Sequence, residues 1–322
     1  MNYKNNKLGL NKIGLGCGGM TSFNNEYENI ATIHEALDNG INIINTADFY
    51  GSGISEMIIG KAIKGKKREN IFISGKTGAL VDPSGQMYGL DVDPFHIKNQ
   101  LAQTLKRLNL DYIDLYQPAR IDLDIPVEET IGAISDLVKE GYVKHIGITQ
   151  VDANTLKRAH RVHPISFIEV DYSLFNRSAE DEIIPTAREL GIEIVAFGSL
   201  AHGLLSGSYT KEHAKKYASR VPMFSDKNID INLKLVENLR VIADEKCITI
   251  PQLSLAWVLS KGNDILSLVG ASRRSTLLDS IKANDIVLNE EDINRIEKAI
   301  PREDVAGSSF PTPIFRNGRV QW

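Results

Sequence analysis

Short apolar, β-branched runs alternate with amphipathic stretches along most of the chain. In the first unit, apolar residues recur at helical spacing up to Gly40, and the run at 41–45 then predicts a buried strand. Asp93 and Pro94 predict the start of another helix, because an aspartate cap followed by proline suits a first turn. The pattern therefore predicts repeated strand–helix units.

Eight strands are predicted by this pattern, at 13–15, 41–45, 71–74, 111–116, 144–148, 166–170, 191–197 and 265–269. Helices are expected between them and near the end of the chain, including 55–64, 152–161, 179–190, 231–246, 252–260, 275–282 and 290–299. Strand-then-helix order favours parallel strands with right-handed crossovers. Eight units in about 300 residues predict an α/β fold, a closed (β/α)₈ TIM barrel, rather than an open sheet.

The organisation of the chain leaves two details to the structure. The strand at 13–15 is either the first barrel strand or an accessory one. Residues 222–228 are expected to form a mobile surface loop. No proline- or glycine-rich linker divides the sequence, so residues 1–322 are predicted to form one domain.

Charge and composition narrow the class of protein. The net charge of −4 gives no electrostatic case for binding nucleic acid or an anionic membrane. No run of 18 apolar residues is present, and the polar N-terminal sequence lacks the apolar core of a signal peptide. Cys17 and Cys247 are far apart and form neither a disulfide framework nor a metal-ligand spacing. A cytoplasmic protein is expected.

A glycine motif near the start has two interpretations. "GLGCGG", at 14–19, matches the G-x-G-x-x-G pattern of dinucleotide-binding sheets. That pattern requires a helix to begin at its last glycine, whereas here the polar, irregular segment "MTSFNNEYE" follows and the next helix is expected to start nearly ten residues later. A tight loop at the periphery of a barrel mouth is therefore the preferred interpretation.

Polar residues follow several predicted strands, where the active site of a (β/α)₈ barrel lies. Singly, each is explained more simply as a packing or surface residue, but together they predict one site. The residues and segments are Asn45, Asp48, Tyr50, Lys76, Arg120, Asp122, Thr149, Gln150, Glu169, Asp171, Tyr172, 197–199 and 270–275.

Several motifs occur in order at the ends of these strands: "NTADFYGSGISE", "ISGKTG", "LKRLNLDYIDLYQPARID", "GYVKHIGIT", "VDYSL", "FGSLAHGLLSG" and "VGASRR". With "GLGCGGM" near the start, they resemble the aldo-keto reductase family over essentially the whole chain. "PAR", in place of the family's catalytic-histidine motif, is similar to a bacterial subgroup that includes pyridoxal reductase-like members. The resemblance implies an NADP(H) cofactor across the barrel mouth and hydride transfer to or from a small-molecule carbonyl.

The resemblance also implies cofactor contacts. Phe197 matches the aromatic residue that stacks on the nicotinamide ring, and Arg273, with Arg274 in reserve, matches the ligand of the 2′-phosphate. Glu169 falls among the residues that hold the carboxamide, at a position where glutamine is usual. The implied cofactor-binding set is Met20, Thr149, Gln150, Glu169, Phe197, Gly198, Ser199, Leu200, Gly203, Gly270, Ser272, Arg273, Asp279 and Ser280.

The implied catalytic groups are Tyr50 as proton donor, Lys76 beside it and Asn45. Asn45 stands where the family has an aspartate, so Lys76 is expected to lack an ionic partner and to have a lowered pKa, which Asn45→Asp would reverse. Ala119 stands where a histidine is usual, and a lost hydrogen-bond donor of that kind costs on the order of 10²–10³ in rate. An aldehyde is the expected substrate, because it depends least on the missing donor.

Two other functions fit an incomplete catalytic set. One is an NADP(H)-binding barrel with vestigial turnover that senses redox state. The other is reduction of a conjugated double bond or a sugar intermediate with the same cofactor. A hydrolase without a cofactor has little support, because neither an acid pair nor a metal-ligand cluster follows the predicted strands.

Overall fold

The computed structural model describes residues 8–270, 273–309 and 314–321. In chain order its strands are β1 (Ile13–Gly16), β2 (Ile43–Ala47), β3 (Phe72–Thr77), β4 (Ala79–Val81), β5 (Met87–Leu90), β6 (Ile113–Pro118), β7 (Val143–Thr149), β8 (Ile165–Asp171), β9 (Glu193–Phe197), β10 (Ile265–Gly270), β11 (Ile314–Arg316) and β12 (Arg319–Gln321). Strands β1, β2, β3, β6, β7, β8, β9 and β10 pair in parallel and close a barrel in that order. The predicted (β/α)₈ barrel is confirmed.

The helices cover the outside of the barrel. They are α1 (Glu26–Asp38), α2 (Ile54–Ile63), α3 (Pro94–Leu108), α4 (Val127–Lys139), α5 (Ala153–Val162), α6 (Ile183–Glu189), α7 (Lys211–Lys215), α8 (Ile229–Glu245), α9 (Ile250–Ser260), α10 (Arg274–Ile281) and α11 (Glu290–Ala299). Asp93 caps α3 as predicted, since its carboxylate accepts from the N–H of Phe95 at 2.8 Å. The stretch 179–190 is less helical than predicted, because α6 begins only at Ile183. None of the helices in the described ranges is both long and apolar enough to cross a bilayer.

The glycine motif at 14–19 differs from its prediction. Gly14 and Gly16 belong to β1, a full barrel strand between β2 and β10, and only 17–19 form a turn at the mouth. A Cβ on Gly14 would lie 2.5 Å from Cγ2 of Ile43, so the residue must be glycine for the barrel interior to pack. The prediction of a peripheral loop is therefore wrong for residues 14–16. Because α1 begins only at Glu26, the geometry of a dinucleotide-binding sheet is absent here.

The barrel interior changes from apolar to polar along the strands. Toward the amino ends of the strands, the interior is filled by a buried apolar cluster of Leu10, Ile43, Leu115, Phe167, Val195, Leu266 and Leu268. Alternate residues of a strand share a face. Each inward-facing residue is therefore followed two positions later by another on the same face. Ile43 is followed by Asn45, Leu115 by Gln117 and Phe167 by Glu169. These polar side chains stand at the carboxyl ends of the strands.

A second sheet beside the mouth was not predicted. Its four strands run in the order β11, β12, β5 and β4, so the end of the chain pairs with the hairpin that follows β3. Asp122, which follows β6, accepts from the N–H of Gly318 at 2.6 Å and fastens this sheet to the barrel. The hairpin brings Met87 to the mouth.

The segment 222–228 is anchored rather than free. Met223 and Phe224 are buried, and the N–H of Met223 donates to the carbonyl of Ser308 at 3.1 Å. Asn232 of α8 donates to the carbonyl of Met223 at 3.0 Å. The prediction of a mobile surface loop is wrong, because apolar side chains within it belong to the core.

Candidate active site

A cavity of about 570 Å³ opens at the carboxyl ends of the barrel strands. Ala119 and Arg120 line one side of it. The cavity is lined by many of the residues predicted from the sequence, namely Asn45, Tyr50, Lys76, Thr149, Glu169, Phe197, Gly198, Ser199, Leu200, Gly203 and Gly270. The fold therefore brings together residues that are widely separated along the chain.

A hydrogen-bonded group around Lys76 forms the floor of this cavity. Nζ of Lys76 donates to Oδ1 of Asn45 at 2.5 Å and to Oε1 of Glu169 at 3.0 Å. Oε2 of Glu169 accepts from Nδ2 of Asn45 at 2.8 Å and from Nε2 of Gln117 at 2.6 Å. Nδ2 of Asn45 also lies 3.1 Å from Oγ of Ser74. We call these five residues the lysine network.

Strand register explains how the lysine network assembles. Asn45 of β2 lies opposite Ser74 of β3, and Lys76 lies opposite Gln117 of β6. Glu169 reaches Lys76 across the barrel, since β3 and β8 are not neighbours in the sheet. Gly147 of β7 leaves the necessary space, because a Cβ there would lie 2.4 Å from Oε1 of Gln117.

The ionic state of Lys76 differs from the sequence-based expectation. Burial alone lowers the pKa of this ammonium group, but the charge of the Glu169 carboxylate and the neighbouring Tyr50 outweigh burial, so its pKa is raised. The expectation of a lysine without an ionic partner is therefore wrong. A carboxylate is present, but it comes from β8 instead of β2.

Tyr50 lies directly above the lysine network. Its N–H donates to the carbonyl of Ala47 at 3.1 Å in the turn that ends β2. Nζ of Lys76 lies 5.3 Å from the centroid of the phenol ring, and the ring of Phe49 contacts its edge with a centroid separation of 5.0 Å. The turn and these neighbours hold the phenol at the cavity wall.

Asp48, in the same turn, has a separate environment. Its Oδ2 accepts from Oγ1 of Thr77 at 2.6 Å, and burial raises its pKa to about 7. Its backbone N–H donates to the carbonyl of Lys76 at 3.1 Å, but within the described ranges its carboxylate forms no hydrogen bond or ion pair with the Lys76 ammonium. Asp48 is thus not the carboxylate that pairs with the lysine.

The cavity lining also contains a buried alanine and a cation. Ala119 is 3% exposed and has no side-chain donor to offer a ligand. Nη1 of Arg120 donates to the carbonyl of Ala119 at 2.6 Å, and Arg120 forms no ion pair with any residue that the structure describes. Burial lowers the pKa of Arg120, although Glu169, Tyr50 and Asp171 oppose that effect. The guanidinium nevertheless stays charged, as arginine does in proteins.

Several polar groups near the cavity lack protein partners. Oγ1 of Thr149 is buried without a hydrogen bond to any described residue. In the loop after β9, the N–H groups of Ser199 and Leu200 likewise donate to none of the described residues. Ala201 and His202 adopt left-handed backbone angles, with φ of 47° and 54°. Unsatisfied groups and strained backbone cluster at binding sites.

Some predicted cofactor contacts lie away from the cavity lining. Met20 is 2% exposed and packs in the hydrophobic core. Gln150 lines an adjoining cavity, and its Oε1 accepts from the N–H of Asp171 at 2.9 Å. Arg273 is exposed at the start of α10. Ser272 lies outside the described residues.

The two residues expected near the adenine make contacts inside the protein. The carboxylate of Asp279 accepts from Oγ1 of Thr249 at 2.8 Å and from Nε2 of Gln252 at 2.7 Å, at the start of α9. Ser280 is buried, and its hydroxyl donates to the carbonyl of Thr276 at 2.9 Å. Both side chains therefore already have partners in the helices.

Sequence reasoning missed several residues of the site, among them Ser74 and Gln117 of the lysine network and Met87. Gln117 orients Glu169, and its signal in the sequence was an amide directly after the predicted strand at 111–116. Met87 lines the cavity from a hairpin that no pattern indicated. No cluster of three or more potential metal-ligating side chains occurs in the described part of the chain.

The chain thus places a tyrosine beside a buried lysine at the mouth of a closed parallel barrel. The model of the aldo/keto reductase family matches residues 12–301, and the chain belongs to that family. As a member, it is an oxidoreductase.

Relatives agree with this assignment. The chain is 36% identical over 307 residues to a probable aldo-keto reductase from Glycine max, which covers 94% of this chain and 88% of the relative. A solved glycerol dehydrogenase from Gluconobacter oxydans superposes with a TM-score of 0.84 at 25% identity, covering 94% of this chain and 95% of that one. An aldo-keto reductase from Bacillus halodurans, solved in its holo form, gives 0.75 at 26% identity, covering 94% and 96%.

Proposed function

We propose that the protein transfers hydride between NADP(H) and the carbonyl carbon of an aldehyde, with Tyr50 as the proton donor. The observation that carries this proposal is the buried Lys76 ammonium 5.3 Å from the centroid of the Tyr50 ring, at the floor of an open cavity. A cation beside a phenol favours release of its proton, because it stabilises the phenolate that remains.

Polar and aromatic groups in this cavity and the adjoining one suit the cofactor. We infer that Thr149 Oγ1 and Gln150 meet the carboxamide, and that Phe197 covers the nicotinamide face. The N–H groups of Ser199 and Leu200, which donate to none of the described residues, lie in the loop from Gly198 to Gly203 and suit phosphate oxygens. When bound, NADPH would supply the hydride, and we infer from the family resemblance that Arg273 meets its 2′-phosphate.

Each residue of the proposed catalytic site then has a defined role. The hydroxyl of Tyr50 gives its proton to the carbonyl oxygen of the substrate, and Lys76 stabilises the phenolate. Ala119 contributes no second donor, so the site relies on Tyr50 more heavily than a site with a histidine there. This reliance favours aldehydes over hindered ketones. The catalytic set is thus incomplete at Ala119.

The positive charge of Arg120 on the cavity lining indicates which kind of aldehyde binds. Arg120 is a mostly buried cation on the cavity wall, without an ion pair among the described residues. A buried charge is costly unless a partner compensates it. We therefore infer that the substrate is an aldehyde with an acidic group, which Arg120 binds while the carbonyl faces Tyr50.

The redox-sensor alternative is less well supported. A protein that only binds NADP(H) has no need for a buried ammonium held beside a phenol. The complete set of contacts around Lys76 therefore favours turnover.

Tyr50→Phe tests the proposed function. The substitution keeps the ring and removes only the hydroxyl, so NADPH affinity is expected to stay within about twofold of the parent. The rate of NADPH oxidation with aldehydes is expected to fall on the order of 10³-fold, in the range of general acid catalysis. Turnover is measured from NADPH absorbance, and affinity from NADPH fluorescence. Unchanged turnover in this variant would place the proton donor elsewhere.

A further inference from the structure

Lys76 is a buried charge whose state depends on its partner. It is 5% exposed, and Glu169, at 3.0 Å, is 3% exposed. The other titratable groups that face it are Tyr50 and Cys17. Arg120, on the cavity lining, interacts electrostatically with Glu169 and Tyr50. Burial raises the pKa of the Cys17 thiol to about 12, so this thiol carries no charge to pair with the lysine.

We propose that Glu169 supplies the negative charge that holds Lys76 beside Tyr50, and that Asn45 is the neutral amide that orients this carboxylate. In this arrangement the charge lies on β8 and the amide on β2. Glu169 is then a positioning residue of the reaction rather than a ligand of the cofactor. The inference rests on the proposed roles of Tyr50 and Lys76.

The contacts of Glu169 carry the first step. One oxygen accepts from the ammonium of Lys76, and the other accepts from the amides of Asn45 and Gln117. Three protein donors therefore converge on one buried carboxylate. A carboxylate has no proton with which to serve the carbonyl of a carboxamide. Its donors and its chemistry both direct it toward the lysine.

The contacts of Asn45 carry the second step. Its Oδ1 accepts from Lys76 while its Nδ2 donates to Glu169, so both ends of the amide are used in the only orientation that suits both partners. An aspartate at 45 would bring a second carboxylate oxygen to about the same place, 2.8 Å from Oε2 of Glu169. Two carboxylates at that distance cannot both stay ionised at low cost.

These contacts predict opposite signs for single and paired substitutions. Glu169→Gln leaves Lys76 buried without a carboxylate, and Asn45→Asp gives it two that repel each other. The double variant has one carboxylate and one amide again, with their positions exchanged. Each single substitution should therefore be harmful, and the second should repair the first.

The activity of Glu169→Gln should also change with pH in a defined direction. In the parent, Glu169 raises the pKa of Lys76 against the opposing effect of burial. Without that carboxylate, burial prevails and the ammonium loses its proton at lower pH. The alkaline limb of NADPH oxidation is expected to shift down by about two pH units.

A double-substitution cycle tests the proposal on ligand-free protein and on the enzyme. The four proteins are the parent, Asn45→Asp, Glu169→Gln and the variant with both changes. Thermal unfolding is measured without cofactor at pH 8, and the pH profile of NADPH oxidation is measured with an aldehyde. We expect each single variant to unfold at a lower temperature and to turn over at least tenfold more slowly, as when a buried pair is broken. The double variant should recover both properties to within about twofold in rate.

A matched control uses another buried amide, Asn232, which donates to the backbone carbonyls of Met223 and Ala306 far from Lys76. Asn232→Asp combined with Glu169→Gln should give additive losses, because the two sites share no partner. Binding of NADPH, followed by fluorescence, should change by less than about threefold in Glu169→Gln. A loss above tenfold in NADPH affinity would identify Glu169 as a cofactor ligand and overturn the proposal.

Further results decide against the proposal. A double variant as damaged as the sum of its parts, or a Glu169→Gln variant with the parent's unfolding temperature and alkaline limb, would refute it. If Glu169→Gln fails to fold, recovery of folded protein in the double variant serves as the rescue. The unfolding cycle needs neither substrate nor cofactor. It therefore still decides the charge assignment if Tyr50→Phe shows that the proposed function is wrong.

Discussion

Two parts of the same cavity differ in how their polar groups are satisfied. In the lysine network, four strands hold hydrogen-bonded side chains, and among the residues that the structure describes Oε1 of Gln117 finds no partner. The open rim consists of Ala119, Arg120, Thr149 and the loop 198–203. It contains an unpartnered hydroxyl and a cation without an ion pair in the described ranges.

This difference separates two tasks. Groups with partners in the ligand-free protein are already oriented and need no rearrangement when a ligand arrives. Groups without protein partners remain available to bond to water or to a ligand. The lysine network therefore sets the proton chemistry in advance, while the open rim is left to determine which molecules bind.

Substitution at Ala119 is the strongest way to change this division. Ala119→His would add a second hydrogen-bond donor to the open rim, and turnover of small aldehydes is expected to rise on the order of 10²-fold. Bulky aldehydes should gain less, because the imidazole fills part of the cavity. The measurement is kcat for a series of aldehydes of increasing size.

Ala119→Leu is the matched control, since it adds comparable bulk without a donor. It should slow all aldehydes or leave them unchanged. If leucine accelerates small aldehydes as much as histidine does, the effect comes from shape and the missing-donor interpretation is wrong.

The sequence predicted the fold better than the chemistry of the site. The barrel follows from local signals, because each strand–helix unit shows its own periodicity and caps. The second sheet was missed because its strands are short and pair the hairpin after β3 with the end of the chain. Such pairings depend on distant contacts that no local pattern records.

The partner of Lys76 was missed for a related reason. Tyr50 and Lys76 could be identified from motifs at strand ends, but the contact between Lys76 and Glu169 spans 93 positions and crosses the barrel between strands that are not neighbours. A sequence indicates which residues face inward. It does not indicate which of them meet there. Because Asn45 replaces the family's aspartate on β2, the sequence predicted a lysine without a carboxylate partner, whereas Glu169 on β8 supplies one.

Arg120 tests whether the open rim recognises charge. With Arg120→Ala, the KM for an aldehyde that carries a carboxylate is expected to rise about twentyfold, the cost of losing a hydrogen bond to a charged group. The KM for the uncharged parent aldehyde should change by less than about twofold. Benzaldehyde and 4-carboxybenzaldehyde form a suitable pair, because they share the reacting group.

Arg120→Lys is the conservative control, and it should keep part of the preference, since the charge remains but the two-pronged geometry is lost. Equal changes in KM for both aldehydes in Arg120→Ala would mean that Arg120 acts through packing and does not read the substrate's charge.

The smallest expected effect concerns the outer edge of the site, at the start of α10. Arg273 is exposed there, while Nη2 of the next residue, Arg274, lies 3.6 Å from Oε2 of Glu28 on α1. Arg273→Ala is expected to weaken the binding of NADPH about tenfold and to leave the binding of NADH unchanged, because only NADPH has a 2′-phosphate for a guanidinium to bind.

Arg274→Ala is the matched control and should change neither affinity by more than about twofold, since exposed ion pairs contribute little. Fluorescence titrations with both cofactors measure the four values. Equal losses for NADPH and NADH in Arg273→Ala would show that the phosphate site lies elsewhere, and a selective loss of NADPH in Arg274→Ala would assign the phosphate to that residue instead.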